Sequence, residues 1–553
     1  MSANLPELGR DGRARAVSLA ARQRPEAEPT SLVSYQSHGR LVVIGAEEAA
    51  ASAAGRVGES LSCTLVVPGA GQPEPGSAGG HLVIRGGRPL VAGHLGRFTV
   101  NLEGPSATVS LAEAAGAATP HYDLVLDLSE PPVLDHDIPP VGYFAPAGKS
   151  GALERALAEL VELKGEFEKP KYFAFDPELC AHGRSGLTGC TRCLDACPTR
   201  AITSAGDVVA VDPYLCQGAG SCVAACPSGA MSYAFPKASN LLTHLQGLLE
   251  DYRAAGGEGA VLLLHDGWSG VAIRERHAAA MPENVIPVEI EEIGSTGIDT
   301  WLAALAYGAR GVRLAVTKGT PARVTGELGA QAGFATSLLA GMGYSGEAIA
   351  LLECDAEDLS GAWAGLPEAG IDRPARFAAP DDKRGLLRLA IEHLYRQAPE
   401  PKKSVELPAG APFGEIHVAR DACTLCMGCV SVCPAGALAA GGDLPQLRFT
   451  EWNCVQCGLC ESACPEDAIA LHPRFLFDAE ARQQPRVLHE EPPFCCITCG
   501  KPFATQAMLD TLARKLEGHW MFQTEEARRR LQMCDHCRVQ DMFRSERSRR
   551  VPH

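Results

Sequence analysis

The sequence has no hydrophobic run approaching the ~18 apolar residues of a membrane-spanning helix, so no segment of it reads as a transmembrane span. Its opening stretch, MSANLPELGRDGRARAVSLAARQRPEAEPT, lacks the charged start, apolar core and small-residue cleavage site of a secretory leader. A cytoplasmic location is therefore expected. Positive charge is also short, with 50 Lys+Arg against 66 Asp+Glu and a net charge of −16. An acidic surface of that size argues against nucleic acid or anionic lipid as the main partner and suits docking onto basic patches of other proteins. Nor does the chain offer an acid–base pair, an activated nucleophile or a phosphate-binding loop. A relay or binding role fits that lack better than self-contained catalysis.

Cysteine is what the chain has in excess, 22 in 553 residues. In a reducing compartment such a number points to metal ligands and away from disulfides. The cysteines are also grouped: seven between Cys180 and Cys226, eight between Cys423 and Cys464, and five between Cys495 and Cys537. Cys63 and Cys354 stand alone and read as small apolar residues.

Residues 423–464 contain CTLCMGCVSVCP and CVQCGLCESACP, which is C-x2-C-x2-C-x3-C-P twice. Three thiolates at that spacing wrap a loop around one corner of a cubane. This doubled pattern resembles the bacterial two-cluster ferredoxins, in which the fourth cysteine of each motif ligates the other cluster. The resemblance implies one [4Fe–4S] cluster on Cys423, Cys426, Cys429 and Cys464, and a second on Cys454, Cys457, Cys460 and Cys433. Two zinc ribbons are the alternative, and they do not use the doubled C-P pattern.

Residues 180–226 resemble the same family with two departures. Nine residues separate Cys180 from Cys190, where the family has two. An inserted loop with Cys180 still a ligand is one account, and replacement by His182 is another. In CQGAGSCVAACP, Ala219 stands where the second cysteine belongs. The resemblance then implies one complete set, Cys180, Cys190, Cys193 and Cys226. A three-cysteine set, Cys216, Cys222 and Cys197, is open to a [3Fe–4S] cluster, a [4Fe–4S] cluster with an outside ligand, or no cluster. The segments FAFDPELC, VAVDPYLC, IHVARDAC and RFTEWNC each put a β-like stretch before the first ligand. At the C-terminus, Cys496 and Cys499 pair with Cys534 and Cys537 as C-x2-C…C-x2-C. That set resembles a treble-clef or ribbon zinc site. Cys495 can stand in for Cys496, and another iron–sulfur centre or free thiols remain open. The basic tail RVQDMFRSERSRR suits either solvent or an acidic partner.

The expected architecture is multidomain α/β and α+β. A disordered tail (1–35) leads into a degenerate Rossmann-like domain (36–148) and a helical linker (149–170). Ferredoxin module 1 (171–237) is followed by an α/β domain (238–380), a helix and linker (381–412), ferredoxin module 2 (413–475) and a small zinc-ribbon-like, Cys-rich helical domain (476–553). The first domain resembles the start of the flavin-binding component of heterodisulfide reductase. However, its strand–helix turn reads Gly45-Ala-Glu-Glu, without the G-x-G-x-x-G that lets a backbone approach a pyrophosphate. FAD is expected to be lost. Residues 286–355 resemble the delta subunit of methyl-viologen-reducing hydrogenase, which holds a [2Fe–2S] cluster there, whereas this chain offers only Cys354. In KRGLLRLAIEHLYRQA, Leu386, Leu387, Leu389, Ile391 and Leu394 are available to pack. These features together imply an electron-transfer subunit or adapter of a formate dehydrogenase, a hydrogenase or a heterodisulfide-reductase-like complex. A flavin reductase or a redox-sensing or assembly accessory protein is the alternative.

Overall fold

The computed structural model describes residues 8–550 apart from 23–28, 147–150, 358, 360, 362, 364, 368–369 and 443, with backbone alone over 546–550. Residues 1–7 and 23–28 of the expected disordered tail thus lie outside the described residues. The tail nevertheless contains a helix, Arg10–Ala21. Glu283 accepts from the Gly9 and Gly12 amides at its start (2.8 and 3.2 Å), and buried Ser18 donates to the Leu248 carbonyl at 2.7 Å. Order here comes from docking onto a distant domain, which local composition does not report.

The first domain is built on an eight-stranded sheet. Its centre is parallel: Arg40–Ile44 lies between Ser62–Val67 and Leu124–Asp127, flanked by His81–Ala92 and Tyr143–Phe144. Gly69–Ala78 and Thr99–Glu103 add an antiparallel ribbon on His81–Ala92. Leu41, Val42, Val43 and Ile44 are all fully buried, as a strand covered on both faces requires. The expected helical linker is only partly helical. Its helix is Ala152–Glu162, and the chain beyond Gly165 becomes a strand, Gly165–Pro170, paired antiparallel with Leu32–Ser37.

The central domain is a four-stranded parallel sheet in the order Val285–Glu289, Val261–His265, Gly311–Val316, Ile349–Glu353. The helix Ile298–Ala306 is buried along its whole length. Part of the reason is that Lys383–Tyr395, expected as a linker helix, packs into the same core through Leu386, Leu387, Ala390, Ile391 and Leu394. Leu389 does not join them and is 40% exposed. That core continues through Leu407 and Phe413 to Phe475 and Phe477 at the edge of the second cysteine module. The modules are therefore joined through a common apolar body.

The two modules repeat one plan. Phe173–Phe175 pairs with Met231–Tyr233 and encloses the hairpin Ile202–Ala205/Val208–Val211. Gly414–Val418 pairs with Ile469–Leu476 and encloses Leu438–Ala440/Gln446–Phe449. Each of the four β-like stretches seen in the sequence is thus a strand running into the first cysteine of its motif. No helix among the described residues is long and apolar enough to cross a membrane.

Candidate metal centres

In the second module the backbone itself is bent toward a ligand. Leu425, Met427 and Gln456 adopt left-handed conformations (φ 55°, 60° and 53°) without being glycine. Such strain, held in place by surrounding structure, collects at functional loops. Here it curls C-x2-C-x2-C so that the sulfurs face inward. The short helix Gly428–Val432 then delivers Cys433 to the other half. Cys433, Cys454, Cys457 and Cys460 line one cavity. Cys423, Cys426, Cys429 and Cys464 form the other group: burial and these three neighbours push the Cys429 thiol up to about 12. Amides point at the sulfurs as well, from Ala437 to Cys433 (3.3 Å), from Ala468 to Cys464 (3.2 Å), and from the Gln456 side chain to Cys454 (3.4 Å).

In the first module, Cys180, Cys190, Cys193 and Cys226 line a single cavity. The inserted residues fold into a small hairpin, Gly183–Arg184 with Leu187–Thr188, and Cys190 N bonds Ala181 O at 3.0 Å. The insertion thus returns the chain to the place it left. His182 is not free to substitute. It is buried, with Nδ1 at 2.9 Å from the Cys190 carbonyl and Nε2 at 2.8 Å from the Ser204 hydroxyl. Among the described residues no carboxylate lines either cavity, and four thiols in each, set in a mostly apolar lining with amide donors nearby, fit an iron–sulfur cubane.

The three-cysteine half has a different environment. Cys216, Cys222 and Cys197 are neighbours; Cys197 is buried and the other two are partly so, and desolvation together with the surrounding thiols pushes the Cys222 thiol well up. Ala219 packs into the core of the central domain and not into that of its own module. The fit is tight: a Cβ added at Gly294 would lie 2.3 Å from the Ala219 carbonyl, and one at Gly220 would lie 2.4 Å from Ser295 Cα. The corner that lacks a cysteine is therefore walled by Gly294 and Ser295. On the other side, Lys169 donates to the Tyr214 and Cys216 carbonyls at 2.9 and 2.6 Å, and its own burial brings it down to about 8.

The two modules touch. A Cβ at Gly189 would sit 2.6 Å from Leu459 Cγ and 3.1 Å from the Cys457 carbonyl, so any side chain there would push the other module away. Arg192, two residues after Cys190, donates to the Gln456 carbonyl at 3.2 Å. Arg384 and Lys383 lie at the same seam. Lys383 donates to the Val223 and Ala224 carbonyls at 2.7 and 2.8 Å. None of these cations stands out in the sequence. They are far apart in the chain, and only the fold brings them together.

At the C-terminus, Cys496, Cys499, Cys534 and Cys537 converge with all four sulfurs within 4.8 Å of one another. Ile497 N bonds Gln532 O at 3.2 Å, which closes the long intervening stretch. Cys495 is exposed and outside the set. Burial raises the Cys496 thiol, but amides of Cys534, Cys499 and Thr498 outweigh it and bring that thiol down to about 6. Glu415, His417 and His472 also converge, yet Glu415 is already held by Arg474 at 2.8 Å and by Arg486. Cys354 is fully buried in an apolar cluster, as a small core residue would be.

One prediction follows from His182. The His182→Leu variant should keep the full iron content of the native chain and lose about 1–3 kcal/mol of stability, because buried partners are left unsatisfied. Iron analysis and denaturant unfolding check this, and a loss of one cluster's iron would make His182 a ligand.

Comparison with known proteins agrees with this geometry. Residues 187–230 and residues 415–465 each match a 4Fe-4S dicluster domain. The first match begins beyond Cys180, at the return strand of the inserted hairpin. The chain is also 39% identical over 81 residues to the beta subunit of selenate reductase from Thauera selenatis, a stretch that is 14% of this chain and 23% of that relative. The chain thus spans under a quarter of that relative's length in the match. The protein carries two 4Fe-4S dicluster domains of the bacterial two-cluster ferredoxin type, iron–sulfur units that serve electron transfer.

Proposed function

We propose that the chain is an electron-transfer subunit that relays electrons through both modules in one line. The line runs from the Cys216/Cys222/Cys197 site to the Cys180/Cys190/Cys193/Cys226 cubane. It then crosses to the Cys433/Cys454/Cys457/Cys460 cubane and ends at the Cys423/Cys426/Cys429/Cys464 cubane, where Cys426 is exposed. The observation that carries this order is the glycine-tight contact of Gly189 with Cys457 and Leu459, which joins the middle pair. Tunnelling falls steeply with distance, so a relay needs such a contact and little else.

The central domain serves as a brace, since its core holds Ala219 at one end and Phe475 at the other. The partner is a redox enzyme, with formate dehydrogenase or hydrogenase subunits the leading candidates. The partial likeness to a reductase beta subunit supports a subunit role. None of the 22 cysteines is in a disulfide, which suits a cytoplasmic, reducing setting. The first domain is read as a degenerate Rossmann-like fold. At the turn where phosphate would sit, Glu47 opens the helix Glu47–Val57 and is held by Arg85 at 2.6 and 2.7 Å. That carboxylate disfavours a dinucleotide and weakens the flavin-reductase alternative. The C-terminal thiols form a four-sulfur set, all within 4.8 Å of one another, suited to a structural zinc, and a ribbon-like fold is the reading they support.

Metal analysis of the anaerobically purified chain should give about fifteen irons, from three cubanes and one [3Fe–4S] centre, and about one zinc. The [3Fe–4S] signal in oxidised protein should disappear in Ala219→Cys, with iron rising to about sixteen. An unchanged signal would refute the three-cysteine reading. The relay has its own test. Gly189→Val should retain all the iron but slow electron redistribution between modules at least tenfold after sub-stoichiometric reduction, followed by freeze-quench paramagnetic resonance. Redistribution at the native rate would overturn the proposed order.

A further inference from the structure

Between the two inner cysteine sets lies a charge that the protein does not neutralise. Arg384, at the start of the helix Lys383–Tyr395, is 8% exposed. Its Nη1 donates to the carbonyls of Pro412 (3.0 Å) and Pro227 (3.3 Å), and its Nη2 to those of Cys454 (3.1 Å) and Trp452 (3.4 Å). Pro227 directly follows Cys226 of one set, and Cys454 belongs to the other. The guanidinium stacks over the Phe413 ring at 4.9 Å, and its Nε is buried without a partner. Among the described residues no carboxylate forms an ion pair with it. The adjacent Asp382 is committed to the helix start, accepting from the backbone amides of Arg384 (3.0 Å) and Gly385 (2.8 Å).

A guanidinium buried without a counter-ion is costly, and carbonyl dipoles offset only part of that cost. A cubane on four thiolates is an anion, and here one such site lies on each side of the cation. We propose that Arg384 is the fixed counter-charge shared by the two inner clusters, holding their reduction potentials above the values they would have without it. The idea rests on the assignment of those two cysteine sets to cubanes. Each inner cubane takes one electron from a one-electron donor, such as dithionite in the test, and gains one negative charge, with no bond made or broken and no proton transferred. The guanidinium stabilises that added charge and acts as a positioning and tuning residue, not as a ligand. Because it faces both inner clusters, it favours the arrival of an electron at either side of the contact between modules.

The test compares Arg384→Gln and Arg384→Lys with the native full-length chain. Iron and sulfide are assayed first, then midpoint potentials by redox titration monitored by paramagnetic resonance. Native iron content in the variants keeps the ligand assignment standing apart from the claim about Arg384. With Arg384→Gln, the two inner clusters should become harder to reduce by at least tenfold in the oxidised-to-reduced ratio at fixed potential, about 59 mV for one electron. The outer sites should stay within that window, and Arg384→Lys, which keeps the charge, should stay near native throughout. Unchanged inner potentials in a fully loaded Arg384→Gln would overturn the proposal. If Arg384→Gln does not load, Arg384→Lys decides: inner potentials within tenfold of native support the proposal, and a larger fall at full iron content overturns it. Loss of iron in both variants would assign Arg384 to folding alone and would also overturn it.

Discussion

The contact between Gly189 and the Cys457–Leu459 turn is the constraint that the surrounding structure serves. Two cysteine modules, separated by almost two hundred residues of chain, meet where a single methyl group would collide with Leu459 and press on the Cys457 carbonyl. Holding that approach requires both modules to be fixed from behind. The central domain does this by enclosing Ala219 and by sharing its apolar core with Phe475 and Phe477. The helix Lys383–Tyr395 is the hinge-pin of the arrangement, with its apolar face in the core and Lys383 and Arg384 gripping carbonyls of the modules. Each carbonyl that accepts such a bond is one that a loose linker would leave to water.

Electrostatics runs opposite to the chain's overall character. The protein carries −16, yet the seam between modules is lined with Arg192, Lys383, Arg384 and Arg388, and Lys169 sits on the three-cysteine loop. The cations are concentrated where thiolates and inorganic sulfide would place negative charge in a low-dielectric interior. There each charge acts more strongly than it would at the surface. The amides that aim at Cys433, Cys464 and Cys226 work in the same direction.

Much of this is legible in the sequence because cysteine spacing is a local code. C-x2-C-x2-C-x3-C-P sets its own loop, and the exchange of the fourth cysteine between motifs is what the ferredoxin resemblance implies. The strands before each motif are visible for the same reason. The four C-terminal thiols pair as their spacing suggests, although the choice between Cys495 and Cys496 needs the fold. What the sequence hides is tertiary. Residues Arg10–Ala21 are polar and Arg-rich, and their order depends on Glu283 and Leu248 far along the chain. Residues Gly165–Pro170 read as helix because the amphipathic pattern of Ala152–Glu162 runs into them, but a partner strand at Leu32–Ser37 takes them instead. Leu389 matches the apolar pattern of its helix yet faces outward, since that face has no neighbour. Arg384 gives no signal at all: an arginine at a helix start is ordinary until its four carbonyl partners are known.

If the clusters of the two modules form one electronic path, their spins interact across the seam. The most direct measurement of that path is the paramagnetic resonance spectrum of the full chain through a complete reductive titration at low temperature. The expected result is a set of split features, additional to the coupling within module 2 and weakened in Gly189→Val, that grows when both inner cubanes are reduced, because two spins in contact across the Gly189 seam couple magnetically. A spectrum that remains, at every stage, the simple sum of independent [4Fe–4S] signals would contradict it.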